Sequence, residues 1–258
     1  MPLKVEITGL SKWFGELEAL RAIDAAVEQG EFISVVGPSG CGKTTFLRIV
    51  AGLEPASSGT VLIDGAPLAG PGSNRGFVFQ NDSLLPWRTV LANALIGPEV
   101  AGRVGETERK RTLDLLKLVG LGGFENYYPR QLSGGMRQRV NLARALAIDP
   151  DVLLMDEPFA SLDAQTREIM QTELLRIWEQ GRKTVLFVTH QIDEAVFLSD
   201  RVLVFARRPG RLQESIEIKL PRPRALALKR TPEFIAYVDR IWTMIEHDVR
   251  TAVLDEHV

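Results

Sequence analysis

The stretch GPSGCGKTT, residues 37–45, combines glycines, a lysine and two threonines directly after the apolar run FISVV. It matches the pattern G-x-x-x-x-G-K-[ST], in which glycines let backbone N–H groups converge on phosphate oxygens. Lys43 supplies a positive charge for the β- and γ-phosphates, and Thr44 offers a hydroxyl group to Mg²⁺. The apolar run before the loop and the helical pattern after it argue against a chance match. We therefore predict a nucleoside triphosphate site built from Gly37, Pro38, Ser39, Gly40, Cys41, Gly42, Lys43, Thr44 and Thr45.

Two carboxylates stand at the end of another apolar run, in VLLMDEP. Asp156 can hold Mg²⁺ directly or through water. Glu157, one residue further, points in a different direction and can polarise an attacking water. In isolation, such a pair would be interpreted as part of a solvated loop that follows a core strand. In a chain with a phosphate loop it indicates phosphoryl chemistry.

His190 and Gln80 end two further apolar runs, in VLFVTHQ and RGFVFQ. Alone, such a histidine is more often a structural or capping residue, and such a glutamine is unremarkable. In the company of a phosphate loop, we predict that His190 senses the γ-phosphate and that the Gln80 amide reaches the metal or the water. The predicted catalytic residues are Glu157, His190 and Gln80, and the predicted metal ligands are Thr44, Gln80 and Asp156.

The elements that position these residues alternate between short apolar strands and helical patterns. Strands that are apolar on both faces are typical of a parallel sheet. The N-terminal third differs, because KVEITGLSKWF, EALRAIDAAVEQGEF and TVLIDG predict an antiparallel flank. The predicted fold class is α/β, a P-loop NTPase core of mainly parallel sheet with helices, an antiparallel β flank and an inserted helical subdomain. The predicted core strands are residues 32–37, 75–80, 151–157, 183–190 and 200–206.

The chain is predicted to form a single domain with a helical insertion. TVLANALIGPEV and ETERKRTLDLLKLVGL suit helices within that insertion. A last helix is expected at about 232–250, with Thr231 as its cap and Pro232 in its first turn. We expect the domain of residues 1–258 to comprise a catalytic core with its flank at about 1–83 and 151–225, a helical subdomain at about 84–150 and a C-terminal helical extension at about 226–258.

Composition and charge argue against several classes of protein. A net charge of −2 gives no global electrostatic case for a nucleic-acid partner. The single cysteine, Cys41, allows no intrachain disulfide and fits a reducing compartment. We expect no signal peptide, because MPLKVEITGL lacks a charged segment followed by an apolar core. No apolar run approaches the roughly 18–20 residues that span a bilayer, so work at a membrane requires a partner.

The motif LSGGMRQR, residues 132–139, completes a set that extends over nearly the whole chain. In order with the phosphate loop, MDEP, SLD and His190, it resembles the nucleotide-binding subunit of ATP-binding cassette (ABC) transporters. Met136 stands where the commonest signature has glutamine, beyond the anion-binding turn, and we expect little loss of activity. The resemblance implies ATP and Mg²⁺, and a head-to-tail homodimer in which Ser133, Gly134 and Gly135 contact the γ-phosphate of ATP bound to the other protomer.

The resemblance also implies individual roles. Glu157 resembles the catalytic glutamate, His190 the switch histidine, and Gln80 the glutamine of the loop that joins core and helical lobe. Asp163, in SLD, resembles the aspartate of the dimer contact. Phe14 resembles the aromatic residue that stacks on adenine, with its neighbour Trp13 as the alternative.

Other pieces of sequence indicate what the ATPase drives. The chain carries one set of ATPase motifs and no fused membrane segment. This fits a separate subunit that pairs with itself and with two integral-membrane permease subunits. Such a subunit lies at the cytoplasmic face of the inner membrane. LLPWRTVLANA, ARRPGR and LPRPR resemble the importer branch for nitrate, sulfonates and taurine. That branch implies a substrate-binding protein that delivers a small anion, although importers of thiamine precursors and aromatic acids have similar motors.

Three further features of the sequence each allow two interpretations. The apolar cluster Leu84, Leu85, Pro86 and Trp87 is either ordinary core or a pocket for a short permease helix, and Leu84, Leu85 and Trp87 are the candidate permease contact. The last helix either packs on its own domain or extends the dimer contact. The basic cluster is either a solvated surface or a contact with membrane phosphate or the permease, and consists of Arg207, Arg208, Arg211, Arg222 and Arg224.

Three rival functions fit the sequence less well. A cytosolic ATPase of the same family acting on ribosomes or nucleic acid usually carries two cassettes or a long coiled-coil insert, and neither is present here. A small-molecule kinase would not need LSGG. A non-catalytic nucleotide-gated clamp would be attractive if Glu157 or His190 were replaced, and both are present.

Overall fold

The computed structural model describes residues 2–81, 83–103 and 105–255, with side chains as far as Asp248. The chain forms two compact units, one of Met1–Pro71 with Arg182–Val258 and the other of Gly72–Gly181. The boundaries predicted from the sequence for a catalytic core, a helical subdomain and a C-terminal extension remain a prediction.

The described residues form strands and helices, of which the first two strands are the longest strands, at 12 residues each. The strands are β1 (Leu3–Phe14), β2 (Leu17–Glu28), β3 (Phe32–Val36), β4 (Ser58–Ile63), β5 (Ala66–Pro67), β6 (Arg75–Val78), β7 (Val152–Asp156), β8 (Thr184–Val188), β9 (Arg201–Phe205) and β10 (Leu212–Glu217). The α-helices are α1 (Lys43–Ala51), α2 (Val90–Ala94), α3 (Ile96–Val100), α4 (Glu106–Leu118), α5 (Gly134–Ala147), α6 (Ala164–Gly181), α7 (Ile192–Leu198) and α8 (Pro232–Asp255).

The first unit contains a mostly parallel group of strands and an antiparallel sheet. β3 pairs in parallel with β8 and β9, and β10 pairs antiparallel with β9. Every residue of β3 and β8 is buried, as expected for strands covered on both faces. β1, β2, β4 and β5 form an antiparallel sheet in the order β2-β1-β4-β5. The predicted α/β fold with an antiparallel flank is therefore confirmed.

The second unit contains one parallel strand pair and several helices. β6 pairs with β7, so that Val78 lies beside Met155. α5 packs against α2, α3, α4 and β6. The parallel pairing brings the carboxyl ends of β6 and β7 to the same edge, where Gln80 and Glu157 follow.

The segment TVLANALIGPEV forms two short helices, α2 and α3, on either side of Leu95. Thr89 caps α2 by accepting a hydrogen bond from the Ala92 N–H at 3.3 Å. Pro98 has no N–H to donate to the Ala94 carbonyl, so α2 cannot continue through it. Pro98 instead lies in the first turn of α3, where a helix needs no such donor.

The last helix, α8, continues to Asp255, about one turn further than predicted. The Thr231 hydroxyl accepts a hydrogen bond from the Phe234 N–H at 3.4 Å, which confirms the predicted cap. Phe234, Ile241 and Ile245 are buried, and α8 packs against α7 and β9 of its own unit. None of the described helices is long and apolar enough to cross a membrane.

Two arginines of the basic cluster do not lie on a solvated surface. Arg224 is buried, and its Nη1 donates to the carbonyls of Val196, Phe197 and Ser199 at 3.1, 3.0 and 2.7 Å. Arg222 pairs with Asp200 at 2.8 Å. The surface interpretation is therefore wrong for these two residues, because Arg224 satisfies carbonyl groups at the C-terminal end of α7 that have no helical partner.

We predict that Arg224→Ala lowers the free energy of unfolding by about 2–4 kcal/mol, because it removes a buried charged donor from several carbonyls at once. Chemical denaturation measures the change. Arg230→Ala is the matched control, since Arg230 is exposed, and we expect a change within about 0.5 kcal/mol. Equal effects of the two substitutions would contradict the capping role of Arg224.

Candidate active site

The candidate phosphate loop connects β3 to α1. Gly42 is the residue before α1 and has φ 95°, a conformation that side chains disfavour. A Cβ atom at this position would lie 2.6 Å from Leu20 Cδ2, so packing also requires glycine. Gly42 therefore lets the loop enter the N-terminus of α1 in a conformation that other residues disfavour, and the N–H groups of a helix N-terminus can bind phosphate.

The Lys43 side chain lies inside the curve of this loop. It is buried, and its Nζ donates to the carbonyls of Gly37 at 2.8 Å and Pro38 at 2.9 Å. These bonds stabilise the curved backbone and fix a positive charge at the centre of the loop. Thr44 and Thr45 follow Lys43 in the first turn of α1, and both are partly exposed.

Cys41 is buried beneath the loop, with its Sγ 3.8 Å from Lys43 Nζ. Burial raises the pKa of the Cys41 thiol, and the nearby Lys43 charge only partly opposes that change. The thiol is therefore protonated at neutral pH. Its position at the base of the loop, rather than at the exposed Ser39–Gly40 apex, gives it a packing role.

His190 follows β8 at the same edge of the sheet as the phosphate loop. The Thr189 N–H donates to the Val35 carbonyl at 3.2 Å, which holds the end of β8 beside the end of β3. The Thr189 hydroxyl donates to the buried carboxylate of Glu194 and accepts from the Gln191 N–H at 3.0 Å. Sequence reasoning missed Glu194, although the two acidic residues at the start of the mostly apolar IDEAVFL were a visible signal.

Gln80 and Glu157 are brought together in the second unit. Gln80 Nε2 lies 3.5 Å from Glu157 Oε2, just beyond the ends of the parallel strands β6 and β7. Asp156, the last residue of β7, is buried, whereas Glu157 is partly exposed. Glu157 has φ 45°, a conformation unusual for a residue with a side chain. Such a conformation stores local backbone strain, which the surrounding structure must offset.

A partly buried network of hydrogen bonds from α5 holds the segment around Gln80. The Phe79 carbonyl accepts from Gln138 Nε2 at 3.2 Å and from Asn141 Nδ2 at 2.9 Å. Arg144 donates to Asn141 Oδ1 at 2.7 Å and to the Ser83 carbonyl at 2.9 Å. Sequence reasoning missed these three side chains, although polar residues at a spacing of three on a helix that packs on a sheet were a signal.

The residues Ser133, Gly134 and Gly135 form the start of α5. The Ser133 hydroxyl accepts from the Met136 N–H at 3.2 Å, as an N-cap does. A Cβ on Gly135 would lie 3.1 Å from Leu162 Cδ2, so the turn before α6 packs closely on this helix start. Asp163 caps α6 by accepting from the Thr166 N–H at 2.9 Å. That hydrogen bond lowers the pKa of the Asp163 carboxyl.

Trp13 and Phe14 end β1, and 46% of each side chain is exposed. The Lys12 ammonium lies 4.7 Å from the Phe14 ring centroid. Lys12 itself is buried and is held by Glu54 at 2.6 Å and by the Pro55 carbonyl at 2.7 Å. One face of Phe14 is therefore covered by a fixed cation.

The apolar cluster after Gln80 lies largely at the surface rather than in the core. Leu84 and Leu85 are half-buried, Pro86 is exposed, and 71% of Trp87 is exposed. Asn93, which is fully buried, ties the loop down. Its amide donates to the Leu85, Arg88 and Thr89 carbonyls at 3.1, 2.9 and 3.0 Å, and its oxygen accepts from the Leu85 N–H at 2.8 Å.

Comparison with known proteins identifies the family to which this chain is similar. A family model described as ABC transporter matches residues 20–160. The chain is 50% identical, over 96% of its length and 94% of the relative, to the uncharacterized ABC transporter ATP-binding protein MJ0412 of Methanocaldococcus jannaschii. It is 45% identical to the nitrate import ATP-binding protein NrtD of Synechocystis, over 94% of this chain and 95% of that one. It is also 45% identical to the taurine import ATP-binding protein TauB of Yersinia pestis, over 90% and 93%.

The solved structures that resemble this chain belong to the same family as these relatives. A dimeric, post-hydrolysis structure of the ATP-binding cassette MJ0796 bound to ADP and Pi has a TM-score of 0.75 and 34% identity, covering 84% of this chain and 100% of that chain. The fold and the phosphate loop define a P-loop NTPase. The chain belongs to the ABC transporter family and is an ATPase.

The raised pKa of Cys41 predicts an unusual pH dependence of its alkylation, because only the thiolate reacts. We expect the alkylation rate of the folded protein to keep increasing beyond the pH range in which an ordinary thiol becomes fully ionised. Mass spectrometry after timed exposure to iodoacetamide measures the rate at each pH. The guanidinium-unfolded protein is the control, and the same midpoint in both states would contradict the prediction.

Proposed function

We propose that this chain is the ATP-hydrolysing subunit of an importer that takes up a small anion of the nitrate, sulfonate or taurine type through a separate permease. The observation that carries the proposal is 45% identity, over 94% and 90% of this chain, to a nitrate and a taurine import ATP-binding protein. In this role the subunit lies at the cytoplasmic face of the inner membrane and pairs with two permease subunits. A substrate-binding protein delivers the anion to the permease.

ATP binds through residues Gly37 to Thr45. Backbone N–H groups of the loop and the positive end of α1 hold the phosphates, and Lys43 adds its charge beside the β- and γ-phosphates. The bonds from Lys43 to its own loop support this assignment, because they keep the ammonium within the loop that it serves.

Phe14 is favoured over Trp13 as the residue that stacks on adenine. Lys12 is paired with Leu20 across β1 and β2, and cross-strand partners project on the same side of a sheet. Leu20 is the residue that packs against Gly42 of the phosphate loop. Because the Phe14 ring contacts the Lys12 ammonium, Phe14 belongs to this side.

The donor set of Thr44, Gln80 and Asp156 fits Mg²⁺. These residues offer hydroxyl, amide and carboxylate oxygens, the ligands that this hard cation prefers. The burial of Asp156 suits a carboxylate whose charge is balanced by a cation. When bound, Mg²⁺ would neutralise charge on the β- and γ-phosphates.

Glu157 orients or deprotonates the attacking water, and His190 steadies the γ-phosphate. The Gln80 amide lies 3.5 Å from the Glu157 carboxylate. This distance supports the proposal that both side chains lie near the attacking water. The Thr189–Glu194 hydrogen bond holds the backbone that presents His190. Positioning and charge stabilisation of this kind are what phosphoryl transfer requires of a protein.

Two copies of the chain share each nucleotide. Ser133, Gly134 and Gly135 begin α5 and form a second anion site, in addition to the phosphate loop. A second site of this type is best used on ATP bound to the partner copy, and the dimeric MJ0796 cassette supports such pairing. Leu162 packs on Gly135, and Asp163 is the next residue of the same turn. In this arrangement of the two copies, Asp163 lies in the dimer contact.

The permease contacts the loop that contains Leu84, Leu85 and Trp87. An exposed tryptophan on a loop fixed by a buried asparagine offers a large apolar anchor at low entropic cost. Tyr127, which is 41% exposed, extends the apolar surface, because its carbonyl accepts from the Val90 N–H at 2.8 Å. A short helix of the permease fits such a surface.

Glu157→Gln should leave ATP affinity unchanged and lower ATP turnover roughly a hundred- to thousandfold, the usual cost of losing one transition-state contact. Because ATP is then bound but not cleaved, we expect a stable dimer with ATP and a monomer without it. Light scattering after size exclusion and a phosphate-release assay measure the two effects.

Glu168→Gln is the matched control for this experiment, because Glu168 is an exposed glutamate in the same unit. It should retain wild-type turnover and show no ATP-trapped dimer. Rapid turnover by the Glu157 variant would show that its role is misassigned.

Trp87→Ala should retain ATP hydrolysis but lose coupled import. In cells that lack this chain, the wild-type protein is expected to restore uptake of nitrate, taurine or an alkanesulfonate, measured with a labelled substrate. The variant should fail to restore it and should leave the membrane fraction.

Val100→Ala is the control for Trp87→Ala, since Val100 is 85% exposed on α3 of the same unit. It should restore uptake fully. Full uptake with Trp87→Ala would remove the permease assignment of this loop. Unchanged uptake of all three anions after deletion of the chain would contradict the proposed substrate class.

A further inference from the structure

The turn ARRPGR, residues 206–211, between β9 and β10, lies directly on the phosphate loop. The Ala206 N–H donates to the Arg211 carbonyl at 3.0 Å and closes the turn. A Cβ on Gly210 would lie 2.0 Å from the Cys41 carbonyl oxygen. The two backbones are therefore in contact, with no space for a side chain between them.

The turn is also fixed to β2. The Gly210 N–H donates to the Ala19 carbonyl at 2.9 Å, and the Arg21 N–H donates to the Gly210 carbonyl at 2.9 Å. Leu20, between these two residues of β2, packs against Gly42 at the other end of the phosphate loop. β2 and the turn thus form a continuous backing for the loop.

Arg208 extends from this backing to the exposed apex of the loop. Its Nε donates to the Gly40 carbonyl at 3.3 Å. The peptide group that carries this carbonyl also carries the Cys41 N–H, which donates to the Pro38 carbonyl at 3.4 Å and closes the turn at the apex. A cation at the carbonyl oxygen polarises the peptide and strengthens its N–H as a donor.

The last helix holds the same turn from the other side. Asp248 of α8 accepts a hydrogen bond from the Arg207 N–H at 2.9 Å. Two consecutive residues, Arg207 and Arg208, therefore make the contact with α8 and the contact with Gly40. α8 is thereby connected to the phosphate loop by a single short turn.

We propose that Arg208 is a positioning residue for ATP binding, which holds the Gly40 apex of the phosphate loop in its phosphate-binding conformation, and that Asp248 of α8 anchors the turn that carries it. This inference rests on the proposed role of residues 37–45 as the nucleotide site. It assigns a function in the ATPase to ARRPGR and to the last helix.

Nucleotide affinity tests the role of Arg208. Arg208→Ala should raise the Kd for ATP and for ADP by the same factor, about three- to tenfold, the usual effect of one lost charge-assisted hydrogen bond. The KM for ATP should rise in parallel while kcat stays within about twofold, because saturating nucleotide orders the loop. Arg208→Lys should recover part of the affinity. Fluorescent-nucleotide titration and steady-state kinetics measure these values.

Arg211→Ala is the matched control. Arg211 is exposed in the same turn and has no side-chain hydrogen bond or ion pair within the described part of the chain. Its substitution should leave Kd and KM unchanged. Equal effects of Arg211→Ala and Arg208→Ala would reduce the effect to general charge and overturn the proposal. Loss of affinity for ATP alone would indicate a direct γ-phosphate contact and would also overturn it.

Asp248 is tested in combination with Arg208. Asp248→Ala should raise Kd in the same direction, and Asp248→Asn, which retains an acceptor oxygen, should recover affinity. The double variant Arg208→Ala with Asp248→Ala should bind no more weakly than Arg208→Ala alone, since Asp248 acts through Arg208. Fully additive effects would overturn the anchoring role.

Lys43→Ala separates this inference from the proposed function. Loss of ATP binding in Lys43→Ala with wild-type binding in Arg208→Ala would overturn only the role of the turn. Wild-type binding in Lys43→Ala would overturn the nucleotide site itself. If Arg208→Ala lowers the melting temperature, Arg208→Lys, which keeps the charge and the length of the side chain, supplies the same comparison in a stable protein.

Discussion

Main-chain pairing between parallel strands, Val35 beside Val188 and Val78 beside Met155, determines where the reactive side chains of this protein emerge. Parallel strands end at the same edge of a sheet, so residues far apart in sequence become neighbours without any contact of their own. The phosphate loop and His190 meet in this way in the first unit. Gln80 and Glu157 meet in the same way in the second.

The proposed active-site residues are held by groups that are costly to bury. Lys43 is buried among carbonyls of its own loop, and the Glu194 carboxylate is buried against the Thr189 hydroxyl. Each of these groups would destabilise the fold without its partner. Glu157 adds backbone strain at φ 45°. The burial of charged groups and the strain at Glu157 both cost free energy. The hydrophobic core and the paired strands therefore supply the stability that keeps these residues in place.

The sequence predicts most of the fold but only part of the site's support. Nearly continuous apolar runs identify β3 and β8, because strands buried on both faces have few polar positions, here only Ser34 and Thr184. Local patterns also identify the phosphate loop and the Thr231 cap. Asn141 and Arg224 are different, because their partners are backbone carbonyls far along the chain, at Phe79 and Phe197. Side-chain type says nothing about such carbonyls, and only the folded chain brings them within reach.

The network on α5 gives the proposed ABC mechanism a physical connection within the second unit. α5 begins at Ser133, and its side chains hold the Phe79 carbonyl just before Gln80 and the Ser83 carbonyl just after it. The backbone from Ser83 leads directly to the braced loop that carries Trp87. The bonds to the Phe79 carbonyl are partly buried, so breaking one would leave a polar group without a partner, whereas the bond to the Ser83 carbonyl is exposed. The start of α5, the Gln80 segment and the Trp87 loop therefore move together more easily than separately, which is what transmission from nucleotide to permease requires.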